Sequence, residues 1–175
     1  MEVIKEPIPG LLVIQPRVFS DDRGFFLETW QKERYKDLGI KEEFVQDNWS
    51  RSTKGVLRGL HFQKKHPQGK LVSVRRGSVY DVAVDIREGS DTYGEWYGEE
   101  LSEENFLQMY VPPGFAHGFC VLSEVADFSY KCTDFYHAGD EGGILWNDPV
   151  LDIQWPISDA MVSEKDNYLS NFEDL

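Results

Sequence analysis

The chain has 175 residues, enough for one domain with a sizeable core, and its 41% apolar and 14% aromatic content excludes a disordered or collagen-like polymer. The formal charge of −13, from 18 basic and 31 acidic residues, argues against a nucleic-acid partner, whose phosphate backbone demands a cationic face. It leaves room for a small anion in an internal basic pocket. No apolar run reaches the length of a membrane span, and MEVIKEPIPG lacks the basic-then-apolar order of a secretion signal. A soluble cytoplasmic protein without a membrane partner is therefore expected.

Along the chain, LLVIQPRVF and GFFLETW open a series of short strand-like runs. A helix is expected from Trp30 to Leu38, with Thr29 as N-cap and Gly39 as stop. Then come VLRGLHFQ, KLVSVRRG, SVYDVAVDI, FLQMYVP, GFCVL and DFSYKCTDF, with Gly, Pro, Asp and Ser between them. Arg76-Gly77 and Glu88 to Gly94 read as hairpin turns, and the polar stretch Ser163 to Phe172 as a second helix. Cys120 and Cys132 stand alone in apolar runs and read as buried free thiols rather than a disulfide scaffold. No repeat or linker interrupts the pattern. One all-β domain over residues 1–175, a sandwich or barrel, is the expectation.

The run VLRGLHFQ poses a problem that is chemical as well as structural. Strict alternation sends Arg58 and His61 to opposite faces of a strand. A glycine inside a strand often marks a bulge, which inserts one residue and shifts every later side chain by one place. A bulge at Gly59 would aim the guanidinium and the imidazole into one cavity. Taken alone, His61 is as readily a satisfied core histidine as a functional one.

The stretch VPPGFAHGF resembles the second half of the cupin signature, in which the histidine, here His117, is a metal ligand. The first half would need two histidines one residue apart, and this chain has H-x-Q, with Gln63 after His61. Metal sites usually need three or four convergent ligands. No metal and no other cofactor is expected. Tyr130 and Tyr136 in DFSYKCTDFY, Lys70, Arg23, Glu28 and the run Gln46-Asp47-Asn48 are further polar candidates, each weak when taken singly.

Taken together, DRGFFLETW, QDNWS, VLRGLHFQ, QGKLV, VPPGFAHGF, YKCTDFY, WNDP and SEKD occur in an order and spacing that resembles the dTDP-4-dehydrorhamnose 3,5-epimerase family. The resemblance runs from PGLLVIQP to SEKD. It implies a cupin-type jelly-roll β-barrel or sandwich with a few short helices, and dTDP-4-dehydro-6-deoxy-D-glucose as substrate. His61 would be the general base, Tyr130 the general acid, and Lys70 the cation that stabilises the enolate. Asp166 would orient His61, with Asp81 as the other carboxylate open for that part. Arg23, Glu28, Gln46, Asp47, Asn48, Arg58, His117, Tyr136, Glu141 and Lys165 would contact the substrate, with Tyr136 stacked on the thymine. A homodimer is implied, because in this family the N-terminal strands of a neighbouring subunit complete the nucleotide site. The competing readings are a 3-epimerase, a 5-epimerase or a 3,4-ketoisomerase of related 4-ketosugars, and a metal-free cupin that binds without catalysis.

Overall fold

The computed structural model describes residues 1–175. Its first sheet contains, in spatial order, β1 (Glu2–Ile8), β2 (Leu11–Gln15), β10 (Gln108–Val111), β7 (Lys70–Arg76), β12 (Val125–Cys132) and β5 (Gln46–Thr53). The second runs β13 (Glu141–Gly143), β6 (Val56–Gln63), β11 (Phe115–Val121), β8 (Ser78–Asp85) and β9 (Trp96–Ser102). A short strand, β14 (Met161–Val162), pairs with β6 in parallel, and β3 (Val18–Asp21) with β4 (Gly24–Leu27) forms a separate hairpin.

The two sheets pack face to face because their strands bury alternate side chains on the facing surfaces. Val72, Val74, Met109 and Phe128 from the first sheet meet Val79, Ala83, Phe115, Phe119 and Val121 from the second. Each of the larger side chains contributes about 1.5–3 kcal/mol by leaving water. The all-β sandwich with a cupin-like fold is as the sequence implies. Both outer faces are covered too. Tyr35 and Ile40 pack on Leu12, Leu71 and Tyr110 of the first sheet, while Ile144, Leu151 and Ile153 cover Leu60, Val82 and Val84 of the second.

The local expectations fare unevenly. The helix is shorter than Trp30 to Leu38: α1 spans Lys32–Asp37, and its N-cap is Gln31, whose side chain accepts from the Arg34 N–H at 2.7 Å. Thr29 instead gives its carbonyl to the Tyr35 hydroxyl and the Gln108 amide. Ser163 to Phe172 is no helix but holds a 3₁₀ turn, Asp166–Tyr168, with a second at Phe172–Asp174. Both cysteines are free and buried.

Glu88 to Gly94 does lie in a hairpin connection, between β8 and β9, which pair from Ser78–Ser102 to Val84–Trp96. Arg76-Gly77 does not, because it carries the chain from one sheet to the other. Gly77 has φ +73°, and a Cβ there would fall 2.1 Å from the Val125 carbonyl oxygen. Only glycine fits that crossing.

Candidate active site

Strand β6 supplies the centre of the site. His117 of β11 pairs with His61, and Phe119 pairs with Arg58, so β11 advances two residues while β6 advances three. The extra residue is a bulge at Gly59, as its place in VLRGLHFQ suggests. Gly59 has φ +119°, and the Gly59–Leu60 peptide is cis. A Cβ at Gly59 would stand 2.7 Å from the Gly118 Cα and 2.8 Å from the His117 carbonyl oxygen. Glycine is required here by both conformation and contact. As a result, Arg58 and His61 open into the same cavity, of about 550 Å³.

The C-terminal segment closes one side. Pairing of β14 with Val56 and Leu57 lays the Asp166 turn beside the bulge. One Asp166 oxygen lies 2.8 Å from His61 Nε2, and the other accepts from the Gly59 N–H at 3.2 Å. Ser163 Oγ in turn accepts from the Asp166 N–H at 3.1 Å. Burial raises the Asp166 carboxyl, but the bonds from His61, Gly59 and Ser163 outweigh it and hold the group below its ordinary range. Asp81, the other carboxylate open for this part, is instead paired with His117, at 2.9 and 3.1 Å.

Lys70 and Tyr130 come from the first sheet and reach the same cavity. Alternation points Phe128, Tyr130 and Cys132 of β12 inward together, and Cys132 lies opposite Lys70 in register. The Lys70 side chain makes no hydrogen bond or ion pair with the protein. Lys70 is half-buried where it lines the cavity, and burial lowers its pKa. Burial likewise raises the Tyr130 phenol, so it keeps its proton. Lys165 lines the cavity too.

A small recess of about 90 Å³ joins His61, Lys70 and Tyr130 to Tyr136 and Glu141. The Tyr136 hydroxyl donates to Glu141 at 3.0 Å, and Lys165 forms a short ion pair with the same carboxylate. The Tyr136 ring remains 53% exposed beside this chain of contacts.

The structure does not unite every sequence candidate. On β5 the pleat sets Gln46 and Asn48 on the face toward β12's inward side chains, with Asn48 against Cys132 Sγ. Asp47 points the other way and pairs with Lys131 at 2.8 Å. Asp47 and Asn48 therefore do not present one joint edge. Arg23 sits on the β3–β4 turn, its side chain 90% exposed and bound to Asp21, and Glu28 pairs with Arg34 at 2.9 Å. Neither reaches the cavity within one chain.

Two residues, and the structural task of a third, escape sequence reasoning. Ser52 accepts from Arg58 Nε at 3.1 Å and steadies the guanidinium. Ser163 supports Asp166, and the spacing S-x-x-D in SEKD is a capping pattern that could have revealed it. Gln63, at the cupin metal position, donates to the His66 and Phe135 carbonyls and accepts from the His137 N–H, so it staples two loops. No group of three or more His, Cys, Asp or Glu side chains converges anywhere in the chain.

A β-sandwich of cupin-like fold that gathers a His–Asp pair, an unpaired lysine and a protonated phenol around one cavity carries the groups that acid–base chemistry needs. The family model for dTDP-4-dehydrorhamnose 3,5-epimerase matches residues 5–174. The Pseudomonas aeruginosa enzyme of that name is 53% identical over 176 residues, which cover 99% of this chain and 97% of the relative. The crystal structure of the Elizabethkingia anophelis enzyme superposes with a TM-score of 0.95 at 52% identity, over 99% of this chain and 97% of that one. The Legionella pneumophila 3,5-epimerase, solved in complex with dTDP-4-keto-L-rhamnose, gives 0.96 at 53% identity, over 98% of this chain and 93% of that one. The chain belongs to the dTDP-4-dehydrorhamnose 3,5-epimerase family, and it is an epimerase.

Proposed function

We propose that this enzyme inverts C3 and C5 of dTDP-4-dehydro-6-deoxy-D-glucose, giving dTDP-4-dehydro-L-rhamnose. The C4 ketone acidifies the hydrogens on C3 and C5. His61 takes one of them through the ring nitrogen not bound to Asp166, and the Asp166 carboxylate stabilises the imidazolium that results. The electron pair moves to the carbonyl oxygen, where the Lys70 ammonium, in a site of low polarity, stabilises the enolate. Tyr130 then gives its proton to the opposite face of the same carbon. Solvent restores both groups before the second centre reacts. The observation that carries this reading is the convergence of His61–Asp166, Lys70 and Tyr130 on one cavity.

Arg58, His117, Glu141 and Lys165, together with Gln46 and Asn48, hold the diphosphate and nucleoside, and Tyr136 stacks on the thymine. Arg23, Glu28 and Asp47 serve from a second copy's surface or across a subunit contact. What supports a homodimer is the β3–β4 hairpin: Phe25 and Phe26 are 62% and 69% exposed beside Arg23, outside the cavity of their own chain. The Pseudomonas aeruginosa 3,5-epimerase is 53% identical to this chain, against 28% for a Streptomyces bikiniensis 3'-monoepimerase that covers just as much of it, which favours inversion at both centres.

The test is incubation with the substrate in heavy water, followed by NMR and mass spectrometry of the sugar. Two deuterons with inversion are expected. One deuteron would make the protein a single-centre enzyme, and none a binder. His61→Ala should abolish exchange at C3 and C5. Tyr130→Phe should exchange with retained configuration, because His61 can still remove and return a proton on one face. Epimerisation by Tyr130→Phe at the wild-type rate would make Tyr130 a packing residue.

A further inference from the structure

We propose that Asp81 is a positioning residue for the epimerisation: held against His117, it fixes that imidazole at the cavity wall and adds a carboxylate within electrostatic reach of Lys70. Asp81 has no exposed surface and does not line the cavity itself. Both its oxygens face His117 Nε2, and it makes no other hydrogen bond. His117 does line the cavity, directly opposite His61 in register. Asp81 therefore reaches the reaction only through its neighbours.

A buried carboxylate with a single partner is costly to keep in a core of valine and phenylalanine, so its chemistry needs an outlet. The cavity offers one. Around Lys70 the cavity and its recess carry Glu141 from β13, His61 from β6, His117 from β11 and Tyr130 from β12, with Cys132 of β12 and the buried Asp81 of β8 within electrostatic reach behind them. Glu141 is already engaged by Lys165 and Tyr136, and Asp166 by His61 and Gly59. Asp81 is the remaining carboxylate in attractive range of Lys70. Burial lowers both Lys70 and His117 and raises Asp81, while His117 and Lys70 favour the ionised carboxylate, whose charge in turn opposes the fall of each. When Asp81 is ionised, its bond to Nε2 takes a proton on that nitrogen, which leaves the other ring nitrogen of a neutral His117 as an acceptor.

The part played by Lys70 rests on the function proposed above, whereas the His117 geometry does not. Asp81→Asn keeps the size and an acceptor oxygen but removes the charge. The alkaline limb of the kcat profile should move down by about one pH unit or more, with kcat affected more than KM and partial recovery at lower pH. A uniform loss of kcat with an unmoved limb would reduce Asp81 to a structural role. Lys70 can also be titrated directly through the NMR shift of its ε-carbon, where Asp81→Asn should lower the midpoint and an unchanged midpoint overturns the inference. Should that variant not fold, nitrogen NMR of wild-type His117 decides: a neutral ring protonated on Nε2 supports the assignment, and the other tautomer refutes it. Lys70→Met separates the two layers, since wild-type turnover in that variant would remove Lys70 from the mechanism without touching the His117 result.

Discussion

Gly59→Ala is the substitution that most directly tests how the cavity is made. A methyl group at φ +119° is strained in a non-glycine residue, at about 1–3 kcal/mol. It would also press on backbone, the Gly118 Cα at 2.7 Å and the His117 carbonyl oxygen at 2.8 Å, neither of which can rotate away. Overpacking of this kind adds about 1–3 kcal/mol. Together the cost is about 2–6 kcal/mol, a large part of the 5–15 kcal/mol that holds a typical domain folded. Gly89→Ala is the internal control, with φ +75° but nothing within 4 Å of the added carbon. Urea denaturation of both variants separates strain from contact. In the fraction that folds, β6 must move away from β11, which disturbs Arg58, His61 and the Asp166 bond to the Gly59 N–H. Turnover should fall by about 10²-fold, since a shift of about 1 Å in a catalytic group can cost that much. If Gly59→Ala is no less stable than Gly89→Ala, or keeps full activity, the close approach at the bulge is not what aims the site.

Exhaustive dialysis against EDTA should leave turnover unchanged, because Gln63 spends its amide on three backbone groups; a loss restored by zinc or manganese would defeat this. Tyr136→Ala should weaken dTDP binding by about 1–3 kcal/mol in calorimetry, with a smaller effect on the chemical step. Intact binding with collapsed chemistry would reassign that ring. Asp85 is buried, which raises its carboxyl, yet its bonds from Arg87, Thr92 and Ser90 outweigh burial and hold it well below the ordinary range. Its contribution is therefore present above the unfolded value of about 3.9 and lost as pH falls through the lower folded value. Asp85→Asn should cost about 3–5 kcal/mol at pH 7, measured by urea denaturation, and the gap from wild type should narrow below about pH 4. A gap independent of pH would refute the linkage.

Much of the site is legible in local pattern because strands have a period of two and glycine has one special freedom. The glycine between Arg58 and His61 predicts a bulge, and the structure has one. H-x-Q removes one ligand from the cupin set, and Gln63 at that place bonds three backbone groups. Strand β5 is not legible, since QDNWSRST offers almost no apolar residue at its inward positions. Its order comes from pairing with β12 along its whole length. The hairpin expected at Arg76-Gly77 fails for a related reason. A turn signal says that the chain reverses, but which sheet receives it depends on how the two layers share their core.

The sequence alone determined the strand content and the buried thiols, because these depend on residue type and short spacing, and the order of its motifs carried the family resemblance that implies a candidate base and acid. Tertiary structure decided which carboxylate serves which histidine. Asp166 is 105 residues from His61 and meets it only because β14 pairs with β6, while Asp81 turns to His117 across neighbouring strands. Tertiary structure likewise left Lys70 unpaired, separated Asp47 from Asn48 by the pleat, and kept Arg23 and Glu28 outside the cavity. A hydrogen bond requires approach within about 3 Å. Sequence distance carries no such information until the sheets have closed.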